Sequence, residues 1–293
     1  SDASIKRVML RGEGKSFCSG GDIKSLFFSS EKSNLKKLFL QTEYTLNYAI
    51  SQFDKPYLSI WNGIVMGGGA GLSIHGNARL ATENTKFAMP ETAIGFFPDV
   101  GGSYFLSRLS KGMGLYLSLT GHVLNATEIL SLGLATHYQR SHRVSSIQQE
   151  YISNGSLPDT KQTPSDSLEI LVHQEFIQNT FHGGLRTIMN RLNHSSLSFA
   201  KKTYTHLFTR CPMSLAVTTE LLKRAEHLSL KDCLKMEFQL SQHIVYRNDF
   251  NEGIDNVLVS KALNPKWNPP TINDIDFKEV ESFFDPHVEP LNI

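Results

Sequence analysis

The sequence predicts an α/β core followed by a region made of helices alone. Three observations predict this class: strand-like and helix-like segments alternate in the first half, helical periods fill the second half, and glycine-rich turns follow strand-like runs. Of 293 residues, 40% are hydrophobic and 19% are charged, which is enough apolar material for a sizeable core and excludes wholesale disorder. At this length we expect one large domain or two modest ones.

Charge and cysteine content exclude several classes of protein. Lys and Arg number 29 against 28 Asp and Glu, and a net charge of +1 argues against binding nucleic acid through bulk positive charge. The longest apolar stretches fall short of the ~18–20 residues that span a membrane, so no membrane partner is expected. The three scattered cysteines do not form a disulfide framework and are typical of reduced thiols.

The first half of the chain carries the predicted strands and one long helix. Strands are expected at residues 6–12, 57–61, 78–81 and 86–88, and a short helix at residues 70–75. Residues 34–53 have a helical period whose apolar stripe comprises Leu35, Leu38, Phe39, Thr42, Leu46, Ala49, Ile50 and Phe53. Glu43 lies at the edge of this stripe, so it either reaches out at the rim or faces a pocket. The rim is favoured at this point, because charged side chains are rarely buried.

Composition divides the chain into three segments. Residues 1–138 hold the alternating strands and helices, and residues 167–293 hold helical patterns alone. Residues 139–166 are poor in apolar residues and contain two prolines, and we interpret them as a variable connection. The expected order is therefore an α/β core, a connection and a helical C-terminal region.

Several common nucleotide, nucleophile and metal motifs are absent. Gly67 and Gly69 would need a glycine at position 72 to complete a dinucleotide-binding fingerprint, and that residue is Leu72. No G-x-S-x-G nucleophile elbow occurs. Neither H-E-x-x-H nor C-x-x-C occurs among the eleven histidines and three cysteines, so we predict no metal held by protein ligands.

Two glycine-rich turns, Ser16–Asp22 and Met66–Gly71, follow strand-like runs. Glycines in such turns let the backbone approach a ligand closely. The N–H groups at the start of a helix are free donors, and two of them aimed at one point would form an oxyanion hole. Tight turns that pack against a neighbouring element are an equally good interpretation of the same glycines.

A third segment, Met89–Gly102, places the carboxylates of Glu91 and Asp99 among aromatic and aliphatic residues. Apolar surroundings raise the pKa of a carboxyl, which is how acid–base residues are tuned for catalysis. The alternative interpretation is that Asp99 caps the helix that begins at Val100–Gly101.

The ordered set of these segments resembles the crotonase (enoyl-CoA hydratase/isomerase) superfamily. The stretches that resemble its 3-hydroxyisobutyryl-CoA hydrolase branch are GGGAGLSIHG, FAMPETAIGFFPDVGG, YFLSRL and the EG and PKW elements of DFNEGIDNVLVSKALNPKW. The resemblance covers nearly the whole chain and implies a spiral of ββα repeats with a helical C-terminal region, often assembled as a trimer. Since Val8 falls in the family's second strand, the N-terminal strand–helix unit is expected to be missing.

The resemblance also implies a role for individual residues. The backbone N–H groups of Gly21 and Gly68 correspond to the oxyanion hole that binds the thioester carbonyl. Glu91 matches a catalytic glutamate of the family, and Asp99 matches the aspartate typical of the hydrolase branch. Glu43 matches a substrate-contacting glutamate, which reverses the rim interpretation. The implied substrate-binding residues are therefore Glu43, Gly68, Glu91 and Asp99.

The carboxylate pattern distinguishes between the reactions of the superfamily. Hydratases of the family carry a second glutamate at the position of Gly71, and its absence favours thioester hydrolysis over hydration or isomerisation. The implied reaction converts 3-hydroxyisobutyryl-CoA to 3-hydroxyisobutyrate and CoA in valine catabolism. The implied compartment is mitochondrial rather than peroxisomal. No cofactor is expected, because CoA is part of the substrate. The alternatives are an enoyl-CoA hydratase or isomerase and a non-catalytic interaction protein of the same fold.

Overall fold

In the computed structural model, which describes residues 2–30, 33–158, 164 and 168–293, seven short strands form two parallel sheets. The strands are β1 (Val8–Arg11), β2 (Ser16–Cys18), β3 (Tyr57–Trp61), β4 (Ile64–Met66), β5 (Ala78–Ala81), β6 (Lys86–Ala88) and β7 (His137–Tyr138). One sheet has the order β1-β3-β5-β7 and the other the order β2-β4-β6. The predicted strands at 57–61, 78–81 and 86–88 are confirmed, whereas β2 lies in a stretch expected to be a loop.

Helices occupy about half of the remaining described residues. They are α1 (Ile23–Phe27), α2 (Leu35–Ser51), α3 (Gly68–Gly71), α4 (Gly102–Ser107), α5 (Met113–Thr120), α6 (Ala126–Ser131), α7 (Val144–Asn154), α8 (Glu169–Val172), α9 (Gln174–Thr180), α10 (Leu185–Asn193), α11 (Ser198–Leu207), α12 (Pro212–Ala225), α13 (Leu230–Ile244), α14 (Asn248–Ile254) and α15 (Phe277–Ser282). Single 3-10 turns form at Glu91–Ile94, Ser141–Arg143 and Ile272–Asp274, and a π-helical turn forms at Asp255–Val259. The α/β class with a helical second half is confirmed. Helix α3 begins two residues before the predicted helix at 70–75.

The chain divides into two units, each assembled from three stretches of sequence. The first unit comprises Ser1–Gly21, Leu46–Ala88 and Val123–Val172, and the second comprises Asp22–Thr45, Met89–His122 and His173–Ile293. All seven strands belong to the first unit. The predicted boundaries after residues 138 and 166 stay predictions. No helix within the described ranges is long and apolar enough to cross a membrane.

Helix α7 lies inside the segment 139–166, which the sequence predicted to be a connection. Its Ile147 and Tyr151 are buried against Leu58, Ile60 and Leu80 of the four-stranded sheet and form the core of the first unit. The helix was missed because it buries a single narrow row of apolar side chains, so its composition resembles that of a loop. Residues 159–163 and 165–166 of the same segment, and residue 167 after it, lie outside the described residues.

The predicted helix at 34–53 is confirmed as α2, but its apolar stripe does not face the core. The exposed members of the stripe include Leu35 (41%), Leu38 (56%), Leu46 (45%) and Phe53 (37%), whereas Ile50 is buried. The buried residues on the opposite side are Lys36, Leu40, Tyr44 and Asn47. At 100° per residue the two faces are centred about 150° apart. Hydrophobicity indicated the wrong side because the buried face is largely polar, and the Lys36 amine there donates to the Val245 carbonyl at 2.8 Å.

Candidate active site

The two glycine-rich turns lie side by side in the first unit. Strands β2 and β4 pair in parallel, so their carboxyl ends share one sheet edge and the turns that follow them are neighbours. A Cβ added to Gly20 would lie 3.6 Å from the Met66 carbonyl oxygen and 4.0 Å from the Gly68 nitrogen. Gly68 is the first residue of α3, where the intrahelical hydrogen-bond pattern leaves an N–H unused.

Some glycines of these turns allow close packing and do not indicate ligand binding. A Cβ on Gly69 would lie 2.3 Å from the Cys18 carbonyl oxygen, so this glycine permits the second turn to pack directly on the first. Gly67 adopts a φ of 50° and ends the strand before α3 begins. The packing interpretation therefore holds for Gly69, while the N–H of Gly68 is free to act as a donor.

Glu91 is the first residue of the 3-10 turn Glu91–Ile94 in the second unit. Its side chain is 6% exposed, and its Oε2 has no hydrogen-bond partner among the described residues. Burial, followed by the charge of Asp99, raises the pKa of the Glu91 carboxyl well above its ordinary value. A buried carboxyl with an unpartnered oxygen is suited to accept a proton or to attack an electrophile.

The backbone that carries Glu91 is held by close glycine contacts with α14. A Cβ on Gly253 would lie 2.3 Å from the Ile94 carbonyl carbon, and a Cβ on Gly95 would lie 2.2 Å from the Asp249 carbonyl oxygen. Gly95 has a φ of 71° and ends the 3-10 turn. The glycine of the EG element, Gly253, therefore lets α14 pack closely on the segment that begins with Glu91.

Asp99 is paired with Tyr44, which no sequence pattern indicated. The Tyr44 hydroxyl donates to Asp99 Oδ2 at 2.7 Å, and both residues are buried. Burial raises the pKa of Asp99 to about 7, although the hydrogen bond from Tyr44 acts to lower it. The alternative interpretation of Asp99 as a helix cap is wrong, because Gly101 occupies the cap position of α4.

Glu43 lies beside Tyr44 on α2 and is half-buried. Burial and the nearby charge of Asp99 raise the pKa of Glu43 to about 8. The charge of Asp99 also raises the pKa of Glu91, so the three predicted carboxylates interact with one another. The second unit therefore brings Glu43, Glu91 and Asp99 into one electrostatically coupled cluster.

A fourth acid, Glu237 of α13, completes the cluster and was missed. It is fully buried and accepts hydrogen bonds from the backbone nitrogens of Gly101 and Ser103. Burial raises the pKa of Glu237 to about 8. Its position in the sequence could have revealed it, because Glu237 falls on the same helical face as the buried Cys233 and Leu240. Tyr44 gave no comparable signal.

Within the described part of the chain, no group of three or more His, Cys, Asp or Glu side chains is arranged to hold a metal. The predicted lack of a bound metal stays a prediction. The second unit offers carboxyls with raised pKa values for proton transfer or nucleophilic attack. In the first unit the N–H of Gly68 lies at the start of α3, next to the turn that contains Gly20 and Gly21, and a donor at a helix start suits a developing negative charge.

Comparison with known proteins identifies the family. A sequence profile of the family described as Enoyl-CoA hydratase/isomerase matches residues 1–284. The chain belongs to the enoyl-CoA hydratase/isomerase family. A solved enoyl-CoA hydratase from Rhodobacter sphaeroides 2.4.1 aligns with a TM-score of 0.91 and 29% identity, covering 97% of this chain and 85% of its own. The predicted crotonase-like fold is confirmed.

Curated members of the enoyl-CoA hydratase/isomerase family are more similar in sequence. The mitochondrial 3-hydroxyisobutyryl-CoA hydrolase of Xenopus tropicalis is 39% identical over 97% of this chain and 78% of its own length. The protein of the same name from Dictyostelium discoideum is 38% identical over 95% of this chain and 79% of its own length. The similarity to the hydrolase branch of this family is confirmed.

Proposed function

We propose that this chain hydrolyses 3-hydroxyisobutyryl-CoA to 3-hydroxyisobutyrate and CoA. The observation that carries the proposal is the set of acids: Glu91 and Asp99 are buried and coupled, while position 71 is a glycine. The names of relatives at 38% and 39% identity support the same substrate. Hydrolysis of this thioester fits a step in valine catabolism. The raised pKa of Glu91 supports its role as the group that attacks or activates water.

The reaction needs a nucleophile at the thioester carbon and a stabilised oxyanion. We assign the carbonyl oxygen to the N–H groups of Gly21 and Gly68, where the loss of one donor typically costs ~10²–10³ in rate. Glu91 either attacks the carbonyl carbon to give a transient anhydride or takes a proton from the attacking water. In the first route water then hydrolyses the anhydride, which releases 3-hydroxyisobutyrate and restores Glu91. In both routes the C–S bond breaks, the CoA thiolate leaves, and the proton lost by the water goes to the thiolate. Asp99 and Glu43 bind the 3-hydroxyl group.

Infrared spectroscopy tests the assignment of the oxyanion hole. The carbonyl stretch of ¹³C=O-labelled 3-hydroxyisobutyryl-CoA is recorded free and bound to a Glu91→Gln variant, whose slow turnover leaves the substrate bound during the measurement. Polarisation by two N–H donors moves the stretch to lower frequency. A bound carbonyl that absorbs at the frequency of the free thioester contradicts the assignment.

The main alternative is hydration of an enoyl-CoA, the activity named for the Rhodobacter sphaeroides structure. Hydration in this family is expected to use a second glutamate, and Gly71 has no side chain to supply it. A second alternative is a crotonase-fold protein that binds partners without turnover. Three interacting carboxylates with raised pKa values argue against it, because a scaffold gains nothing from burying them.

One assay separates these three functions. Free CoA released from 3-hydroxyisobutyryl-CoA is measured with a thiol reagent, and hydration of crotonyl-CoA is followed in parallel on the same protein. The proposal predicts that CoA release dominates. Dominant hydration would establish the hydratase alternative, and the absence of both activities would establish the non-catalytic one.

Three further properties belong to the same proposal. The reaction uses no cofactor beyond the CoA of its substrate, so activity is expected to survive treatment with a metal chelator. The chain assembles as a trimer, which light scattering in solution measures. Its compartment is the mitochondrion, as the names of the Xenopus tropicalis and Dictyostelium discoideum relatives support, and imaging of the tagged gene product measures this.

A further inference from the structure

Glu237 carries a carboxylate on a buried face of α13. Its relative exposure is 0%, and its neighbours on that face include Cys233, Leu240 and Ile244. A carboxylate in such a place is costly unless hydrogen bonds and charges around it compensate. The partners of Glu237 therefore indicate what it does.

All three described hydrogen bonds to Glu237 come from the turn Val100–Ser103. The Gly101 nitrogen donates to Oε2 at 2.8 Å, the Ser103 nitrogen donates to Oε1 at 3.0 Å, and the Ser103 hydroxyl lies 2.5 Å from Oε1. These donors come from residues 136 and 134 positions away in the sequence. The carboxylate thus ties α13 to the turn that follows Asp99.

That turn has an unusual backbone. Val100 adopts a φ of 53° and Gly101 a φ of 80°, so two successive residues are left-handed. A β-branched residue such as valine rarely adopts this conformation, and it persists where surrounding contacts determine it. The bonds from Gly101 and Ser103 to Glu237 are such contacts. Asp99 immediately precedes the turn, and its carbonyl oxygen accepts from the Gly102 nitrogen at 2.7 Å.

Helix α13 also supports the tyrosine that binds Asp99. The ring of Phe238, the residue after Glu237, packs edge-on against Tyr44 with centroids 6.4 Å apart and an interplanar angle of 82°. One helix therefore contacts both the turn that carries Asp99 and the side chain that donates to it.

The titratable groups that face Glu237 are Asp99 and Glu91 from the segment Met89–Gly102, Tyr44 from α2 and Cys233 from α13. Burial is the main cause of the raised pKa of Glu91, of Tyr44 and of Cys233, and the charge of Glu237 acts in the same direction on all three. For Glu91 and Tyr44 the charge of Asp99 has a larger effect than that of Glu237. The charge of Asp99 in turn raises the pKa of Glu237, after burial. Removing the charge of Glu237 is therefore expected to let Glu91 ionise at lower pH.

We propose that Glu237 is a positioning residue for thioester hydrolysis: its carboxylate fixes the turn Val100–Ser103 and keeps Asp99 on the Tyr44 hydroxyl. This inference rests on the proposed function. Glu237 acts through Asp99 and Glu91 and is not assigned a contact with the substrate.

The test compares Glu237→Gln with Ser103→Ala in the full chain. Glutamine keeps the size but turns an NH₂ group toward a backbone N–H and removes the charge. The expected result is a fall in kcat for CoA release of about 10–100-fold, in line with the effect of a misplaced catalytic group. The acid limb of the pH profile moves to lower pH, while KM changes little. Ser103→Ala removes one hydroxyl contact and keeps the charge, so its acid limb stays at the wild-type position.

A second measurement separates this inference from the proposed function. The carboxyl of Glu91 is titrated by ¹³C NMR in the substrate-free chain, where Glu237→Gln lowers its pKa whether or not the protein releases CoA. If the wild-type protein releases no CoA, the proposed function is contradicted, but the inference about Glu237 and Glu91 is not. A folded Glu237→Gln variant in which the pKa of Glu91 is unchanged would overturn the inference, as would an unchanged kcat.

If glutamine prevents folding, the Glu237→Asp variant takes its place, because aspartate keeps the charge and shortens the side chain by one methylene. It should lower kcat with an unmoved acid limb, and wild-type kcat would overturn the inference.

Discussion

The Tyr44 hydroxyl donates a 2.7 Å hydrogen bond to Asp99, and the two side chains are buried together in the second unit. The hydrogen bond favours the ionised form of Asp99, whereas burial favours the protonated form and raises the pKa of this carboxyl to about 7. Tyr44 therefore controls the charge of a residue that we place at the substrate hydroxyl. Because Tyr44 directly follows Glu43 in the sequence, one turn of α2 carries both the Glu43 carboxylate and the hydroxyl that donates to Asp99.

Replacing Tyr44 with phenylalanine should raise the pKa of Asp99, because the stabilising donor is lost. A hydrogen bond to a charged group contributes about 1.5–3 kcal/mol, so we expect kcat to fall by roughly 10–100-fold at neutral pH. The acid limb of the pH–rate profile should move to higher pH. Tyr48→Phe, one turn further along α2, is the control, and a Tyr44→Phe profile identical to that of the control would contradict the assignment.

Substituting Gly253 by alanine should displace the segment that carries Glu91. The new Cβ would lie 2.3 Å from the Ile94 carbonyl carbon, and both backbones would have to move apart. We expect a loss of about 1–3 kcal/mol in the free energy of unfolding, measured with urea, together with reduced CoA release. At Gly184 nothing lies within 4 Å of an added Cβ, so Gly184→Ala is the control and should cost no more than about 1 kcal/mol. Equal stabilities of the two variants would refute the close contact.

The buried acids should make the protein less stable as the pH rises. Asp99 and Glu237 hold their protons to higher pH in the folded chain than in the unfolded chain, with folded pKa values of about 7 and about 8. Between about pH 4 and pH 8 the folded state thus binds more protons, and its stability falls through that window. We expect urea unfolding to show a loss of about 1–4 kcal/mol from pH 5 to pH 8.

The Glu237→Gln variant provides the comparison for this pH dependence. It should lose less stability than the wild type between pH 5 and pH 8, because one titrating group is gone. The exposed Glu150 is the control, and Glu150→Gln should follow the wild-type curve. Stability that rises with pH in the wild type would show that the buried acids are ionised at acid pH and would contradict this account.

Local pattern was sufficient for several strands of the first unit, although not for β2 or α7. Strands such as Tyr57–Trp61 are runs of apolar and β-branched residues bounded by turn residues, so their limits are visible in the sequence. Helix α2 shows where this reasoning fails. Its period was predicted correctly, but its buried face is set by the tertiary partners of Lys36 and Tyr44, which no local hydrophobic pattern contains.

The candidate site, too, could be predicted only in part from the sequence. Glu91 and Asp99 stand eight residues apart in one distinctive segment, so the sequence alone singled them out. Tyr44 and Glu237 reach their partners across 55 and more than 130 residues, and only the folded chain shows those contacts. Glu237 was nevertheless detectable, because it is a charged residue at the helical spacing of the apolar Cys233 and Leu240.

The most direct test of the account is CoA release from 3-hydroxyisobutyryl-CoA by the wild type and by Glu91→Gln, measured side by side. Glutamine keeps the shape of the side chain and removes its ability to attack the carbonyl or to accept a proton. The account predicts that the wild type releases CoA and that the variant is slower by about 10²–10⁴-fold, with an unfolding curve at least as stable as that of the wild type. A folded Glu91→Gln variant that releases CoA at the wild-type rate would contradict it.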